Sequence, residues 1–256
     1  MHPILFQFGS LVIHTYGVFI ALAFLAAVIL ASAKAHLYKY NRDLILDLSF
    51  WILVCALIGA RALEIVTNLS YYRADWLKIF KIWEGGLSYF GGLAGGVIGG
   101  VIYCKKTGLA VWNIGDLLAP YIALGQAIGR IGCLFAGCCY GKACDYWWAI
   151  KFDGPNTLAP QGINLYPTQI YESIGDFVIF LVLLNIAKRR TFSGQVLLLY
   201  FMLYSSLRFI VEFYRGDNPD VWYTFTLYQL ISIGILVVAL VIYIWRWKKQ
   251  QALITK

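Results

Sequence analysis

Charge is scarce in this chain: of its 256 residues only 13% are Asp, Glu, Lys or Arg, while 61% are hydrophobic. A soluble globular domain carries about a quarter charged residues and about half apolar ones, so that class is excluded. No basic stretch leading into a short apolar run and a small-residue cleavage site opens the sequence, and no cleavable signal peptide is expected. Cysteine pairs at zinc-site spacing with a supporting histidine are missing; residues 133–144 offer only C-x4-CC-x4-C. Neither a metal nor another cofactor is expected from that spacing. Two-fold internal repetition with paired broken helices is also lacking, which argues against a transporter. The net charge of +8 would suit nucleic acid. The basic residues nevertheless stand in short clusters between apolar runs, the pattern of membrane topology, so no nucleic-acid partner is expected.

What is present is a series of apolar segments. A membrane span needs about 20 largely apolar residues. Seven candidates fall near 11–33, 44–66, 87–104, 111–131, 169–187, 194–214 and 224–245. The expected fold class is therefore all-α: one polytopic transmembrane domain, 1–256, with a small head over residues 132–168. Lys34, Lys39, Arg42, Lys105, Lys106, Lys188, Arg189, Arg190, Arg246, Lys248, Lys249 and Lys256, twelve residues, share one side of such a topology. Arg73, Lys78, Lys81, Lys142, Lys151 and Arg215, six residues, share the other. The richer side is cytoplasmic, which puts the N-terminus outside and the C-terminus inside.

Three arginines remain inside spans: Arg61, Arg130 and Arg208. An arginine at the bilayer centre costs about 2.5–3.5 kcal/mol on insertion scales, and such residues mark functional sites unless they snorkel to a span end. Arg61 has Glu64 within a turn as an alternative partner. Arg208, Glu212 and Arg215 recur at i, i+4 and i+7 and share one helical face. Glu212 is the only acid that local spacing puts beside these arginines, which leaves one positive charge for a ligand. Guanidinium forks bind phosphate in a bidentate way, and in a membrane that phosphate belongs to a lipid headgroup.

Glycine pairs recur through WEGGLSYFGGLAGGVIGGV, residues 83–101. Gly95, Gly96, Gly99 and Gly100 fit close helix packing. Gly85, Gly86, Gly91 and Gly92 admit the same reading or an irregular segment entering a cavity. Tryptophans 147 and 148 fit a membrane interface. Cys133, three residues past Arg130, is expected to pack near it rather than act as an obligatory nucleophile. A disulfide among Cys138, Cys139 and Cys144 stays open.

Six motifs then resemble one family, prolipoprotein diacylglyceryl transferase, over nearly the whole chain. They are HTYGVFIALAF (14–24), GARALE (59–64), WEGGLSYFGGLAGG (83–96), GRIGCLFAGCCYG (129–141), YPTQIYE (166–172) and LRFIVEFYRGD (207–217). The resemblance implies a seven-helix fold in the bacterial inner membrane. It implies transfer of the diacylglyceryl group of phosphatidylglycerol to the lipobox cysteine of an exported prolipoprotein, with release of glycerol 1-phosphate. Carried over residue by residue, it assigns the donor phosphate to Arg130 and Arg208, with Glu212 and Arg215 completing the site. Tyr16, His14, Arg61, Gln169, Tyr171, Gly91 and Gly92 match further family positions. Four departures stand out: Phe90 stands where histidine or tyrosine is usual, Cys133, Ala136 and Cys138 occupy the signature's asparagine and glutamate places, Tyr166 stands where histidine is frequent, and the outer head is short. A histidine at the Phe90 position has been considered a general base, so that role has no owner in this chain. Two other readings are a relative that lipidates a different acceptor and a lipid-binding protein without catalysis.

Overall fold

A computed structural model of the chain describes residues 2–8, 11–81, 85–154, 157–222 and 224–254. Trp83 and Glu84 of the glycine-rich stretch, and Lys256 of the basic count, lie outside them. A helix forms at each of the seven expected positions. They are α1 (Thr15–Lys34), α2 (Arg42–Thr67), α4 (Tyr89–Lys106), α5 (Val111–Ala136), α6 (Thr168–Ala187), α7 (Gln195–Glu212) and α8 (Leu227–Ile254), with a short α3 (Leu69–Ala74) after α2. Six of them are long and apolar enough to cross a membrane. The exception is α4, whose 18 residues include six glycines and end on Lys105 and Lys106. The chain is thus an all-α polytopic membrane protein. Its strands, β1 (Ile4–Phe8), β2 (Leu11–His14), β3 (Ile150–Lys151), β4 (Asn164–Leu165), β5 (Asp220–Trp222) and β6 (Phe225–Thr226), are short and pair two by two.

Two compact units make up the chain: residues 31–114, and residues 1–30 with 115–256. In the first, α2 starts at Asn41, whose side chain accepts from the Asp43 amide at 3.4 Å. It packs antiparallel on α4 through small residues. A Cβ at Gly91 would meet the backbone oxygen of Gly59, and one at Gly95 the backbone oxygen of Cys55. Gly91 and Gly92 are therefore helical, and Gly91 serves close packing. Gly85 and Gly86 are not helical and hold positive φ angles of 93° and 72°.

In the second unit, an antiparallel β1–β2 hairpin leads into α1, and α5 to α8 supply the larger core. Ala119 and Ala123 of α5 meet Ile179 and Leu183 of α6 and Val196 and Tyr200 of α7. Asp116, fully buried on α5, accepts from the amides of Gly194 at 2.7 Å and Leu197 at 3.0 Å and pairs with Arg190 at 3.2 Å. A carboxylate there satisfies amides that open α7 and complements its dipole. Between α5 and α6 the chain forms a small cap, where Phe152, Ala159 and Leu165 bury against Leu134, Tyr140 and Ile150.

Candidate functional site

Arg130 lies in the last two turns of α5, and Arg208 and Glu212 in the last two turns of α7, so both helices deliver their charges at the same end. The residue joining them is Glu172 of α6. It is 2% exposed, with one oxygen 3.0 Å from Arg130 Nε and the other 2.5 Å from Arg208 Nη1. Arg208 Nη2 reaches Glu212 at 2.8 Å, and the guanidinium lies over the Tyr228 ring. Glu212 also accepts from Thr226 at 2.8 Å and Asn218 at 2.6 Å. Arg215 forks onto Asp217 at 2.8 and 2.6 Å, and stands 3.7 Å from Glu172 and 3.8 Å from Glu212. Burial opposes its charge, but Cys139, Asp217 and Glu172 outweigh that and hold the guanidinium above its ordinary range.

This arrangement corrects the charge count made from local spacing. Three arginines face Glu172, Glu212 and Asp217, so no full positive charge is left over. Two of those acids come from outside the i, i+4, i+7 face. Glu172 was missed although it closes the YPTQIYE motif. The signal was available: a carboxylate on an apolar span is as costly as an arginine there and calls for a partner. Asp176, one turn further along α6, belongs to the same class; it is fully buried, and neither oxygen has a hydrogen-bond partner among the described residues.

What the site offers a ligand is an edge of Arg130. Its side chain is 18% exposed, against 11% for Arg208 and 5% for Arg215. Nε is committed to Glu172, Nη1 points at the Cys139 sulfur 3.6 Å away, and Nη2 has no partner among the described residues. Arg130 lines a cavity of about 230 Å³ with Ile131, Leu134, Gln169, Ile170, Ser173 and Ile174, an apolar groove between α5 and α6. Gln169, fully buried, donates to the Cys138 carbonyl at 2.7 Å, and its own carbonyl oxygen has no partner among the described residues.

The cysteines come together where α5 ends. The Gly137 amide bonds the Leu134 carbonyl at 3.3 Å and the Cys138 amide the Cys133 carbonyl at 3.2 Å, with Gly137 at φ 73°. That is a Schellman end, which by construction turns the last residue of the motif onto the first. Cys139 follows with a positive φ of 59°, rare for a residue with a side chain. As a result the sulfur atoms of Cys133, Cys138 and Cys139 all lie within 4.8 Å of one another. All six cysteines are free thiols. Hydrogen bonds from Cys133 and Cys138, and then Arg215 and Arg130, draw the Cys139 thiol below its ordinary value, while Cys133 and Cys139, and then burial, push Cys138 up.

The other expected site residues divide. Tyr16, at the start of α1, lies against Gly132, and Tyr171 accepts from the Trp148 indole at 2.9 Å within an aromatic group that includes Tyr146, Tyr166 and Tyr214. His14 ends β2 opposite Ile4 and is exposed. Arg61 belongs to the unit of residues 31–114, and neither snorkelling nor Glu64 accounts for it. It donates to the carbonyls of Ile79 at 2.9 Å and of Gly85 and Gly86 at 2.8 Å, and also to Lys78, with Tyr72 below the guanidinium. Glu64 instead accepts from Asn68 at 2.8 Å. One guanidinium thus ties down the irregular segment before α4.

Comparison with known proteins agrees with this architecture. The sequence profile of the prolipoprotein diacylglyceryl transferase family matches residues 3–245. A Clostridium tetani protein named phosphatidylglycerol–prolipoprotein diacylglyceryl transferase is 37% identical over 98% of this chain and all of its own length. Proteins of the same name from Finegoldia magna, at 36% over 98% of this chain and 97% of their own, and from Bacillus licheniformis, at 33% over 93% and 90%, are similar too. On a full-length match of this kind, the chain belongs to the prolipoprotein diacylglyceryl transferase family.

Proposed function

We propose that this protein moves the diacylglyceryl group of phosphatidylglycerol onto the lipobox cysteine thiol of an exported prolipoprotein, the first step of lipoprotein maturation, and releases glycerol 1-phosphate. The observation that carries the reading is the free edge of Arg130, held by Glu172 at the mouth of an apolar groove. Acyl chains fit such a groove, and a phosphodiester at its polar end meets the open Nη2. The Gln169 oxygen, buried without a partner among the described residues, suits a hydroxyl of the glycerol headgroup. As the carbon–oxygen bond to phosphate breaks, charge grows on the departing oxygen, and a fixed guanidinium stabilises it without reorganising. Arg208 is already committed to two carboxylates; it sets the field and joins the phosphate only by exchanging one of them. Glu212 and Arg215 hold that frame. Tyr16, Tyr171, His14, Arg61, Gly91 and Gly92 are assigned to substrate binding on the family match alone.

The enzyme sits in the bacterial inner membrane with its C-terminus in the cytoplasm, as the basic clusters favour, and seven crossings then put its N-terminus outside. Residues 132–168 form the extracytoplasmic head that meets the preprotein. The test is transfer of radiolabelled diacylglycerol from phosphatidylglycerol to a lipobox peptide by the purified protein. Label on the cysteine supports the reading. A parent protein that labels no lipobox peptide but binds phosphatidylglycerol through Arg130 uses another acceptor, a reading favoured by the cysteines at family asparagine and glutamate positions.

A further inference from the structure

Three thiols beside the donor site serve no purpose in the chemistry described so far. We propose that Cys133, Cys138 and Cys139 form a zinc site with an open fourth position, and that the acceptor cysteine thiol binds there. The second half of this rests on the transferase reading; the first does not.

The geometry is that of a cup. Zinc–thiolate bonds of about 2.3 Å in a tetrahedron put sulfur atoms about 3.8 Å apart, and the three sulfurs already lie within 4.8 Å of one another. Two backbone devices hold them there. The Schellman end of α5 sets Cys138 over Cys133, and the left-handed turn at Cys139 brings the third sulfur back. The loop is pinned from α6, where Thr168 donates to the Cys139 carbonyl and Gln169 to the Cys138 carbonyl, both at 2.7 Å. Linear spacing left this arrangement undecided: C-x4-C is the widest cysteine pair in zinc patterns, and neither a second such pair ending in histidine nor the return of Cys139 can be read from it.

Charge fits as well. Three thiolates around a dication carry a net charge of −1, and the Arg130 guanidinium, 3.6 Å from the Cys139 sulfur, complements it. Such outer contacts orient ligands and tune the metal. Three protein ligands and one vacant position mark a reactive zinc site rather than a structural one. A cysteine thiol entering that position releases its proton to water and stays bound as thiolate. It then attacks the glyceryl carbon that bears the phosphate. The sulfur–carbon bond forms, the carbon–oxygen bond breaks, and the electron pair leaves on the phosphate oxygen beside Arg130. The thioether product is a weaker ligand and departs. Thiolate formation thereby acquires an owner in a chain with phenylalanine at residue 90.

Cobalt(II) substitution reads the site directly. Reduced protein purified in detergent is titrated with Co²⁺ and, separately, with Zn²⁺. The expected result is one metal per chain, with thiolate-to-cobalt charge-transfer bands and intense tetrahedral d–d bands. The variant Cys133→Ser/Cys138→Ser/Cys139→Ser, matched in melting temperature, loses them, whereas Cys144→Ser, outside the cluster, keeps them. Where the triple variant fails to fold, maleimide labelling of the parent serves, since Zn²⁺ should shield three thiols from it. Unchanged spectra in the folded triple variant, or no shielding, overturn the zinc site. A lipobox peptide should shift the d–d bands and its serine counterpart should not; equal spectra overturn the acceptor role. Full transferase activity in metal-free protein overturns the catalytic part and leaves the transferase reading intact. A protein that binds zinc through the three thiols yet transfers no lipid preserves the site and overturns the transferase reading.

Discussion

At the scale of single residues, Arg130 and Glu172 have different parts, and substitution separates them. Arg130 keeps an edge free for the ligand, so its loss should act on turnover. A charge-assisted hydrogen bond is worth about 1.5–3 kcal/mol, or about one to two decades in rate. Lysine keeps the charge but loses the fork, so Arg130→Lys should fall by about that much in diacylglyceryl transfer and Arg130→Ala by more. If both turn over like the parent, Arg130 is structural and the site assignment is wrong. Glu172 is the hub of three guanidiniums, and its removal leaves them facing one another in a buried setting. Breaking a buried pair from one side costs about 3–5 kcal/mol. Glu172→Gln should therefore lower the melting temperature in detergent markedly, while Arg130→Lys leaves it near the parent value. Equal melting temperatures for Glu172→Gln and parent would show that the network adds no stability.

Among elements, the glycines of α4 do what spacing alone left open. α2 and α4 approach closely enough that a Cβ on Gly91 would touch Gly59 and Leu63. Gly91→Ala should therefore force the helices apart, at about 1–3 kcal/mol for an overpacked contact. Gly17→Ala and Gly234→Ala are the controls, since a Cβ there meets nothing within 4 Å and alanine is the better helix residue by roughly 0.5–1 kcal/mol. Thermal unfolding should show Gly91→Ala below the parent and the controls at or above it; the same midpoint for all three would rule out close packing at Gly91. This contrast also shows what the sequence could tell. Helices were legible because apolar runs of span length leave the backbone no alternative in lipid. Arg130, Arg208, Glu212 and Arg215 were legible because charge in such runs is costly. Glu172 carried the same signal, but which arginines it joins did not show, since they come from other elements, and Asp217 lies beyond a helix end. The sulfur cluster was hidden for a related reason: a Schellman turn and a left-handed cysteine create proximity that linear spacing does not encode.

For the whole molecule the open quantity is the number of crossings, and α4 decides it. The basic residues do not. With seven crossings, twelve lie inside and six outside. If α4 did not cross, Arg73, Lys78, Lys81, Lys105 and Lys106 would join Lys188, Arg189, Arg190, Arg246, Lys248, Lys249 and Lys256. Lys34, Lys39 and Arg42 would then join Lys142, Lys151 and Arg215, again twelve against six. Packing separates the two arrangements. α4 runs antiparallel to α2, from the contact of Gly91 with Gly59 to that of Gly100 with Ile52, and α2 is among the helices apolar enough to span. A helix laid along a spanning helix shares its depth, and 18 residues reach about 27 Å at 1.5 Å each, close to the hydrocarbon thickness of about 30 Å. Its low apolarity follows from glycines that the neighbouring backbone requires. We therefore expect seven crossings. Short epitopes inserted after residues 39, 73, 106, 151 and 189 should be protease-accessible in spheroplasts at 73 and 151 only. Access at 39 with protection at 73 would establish six crossings. Epitopes after 151 and 189 on the same side would overturn both arrangements, because α6 alone separates them in either.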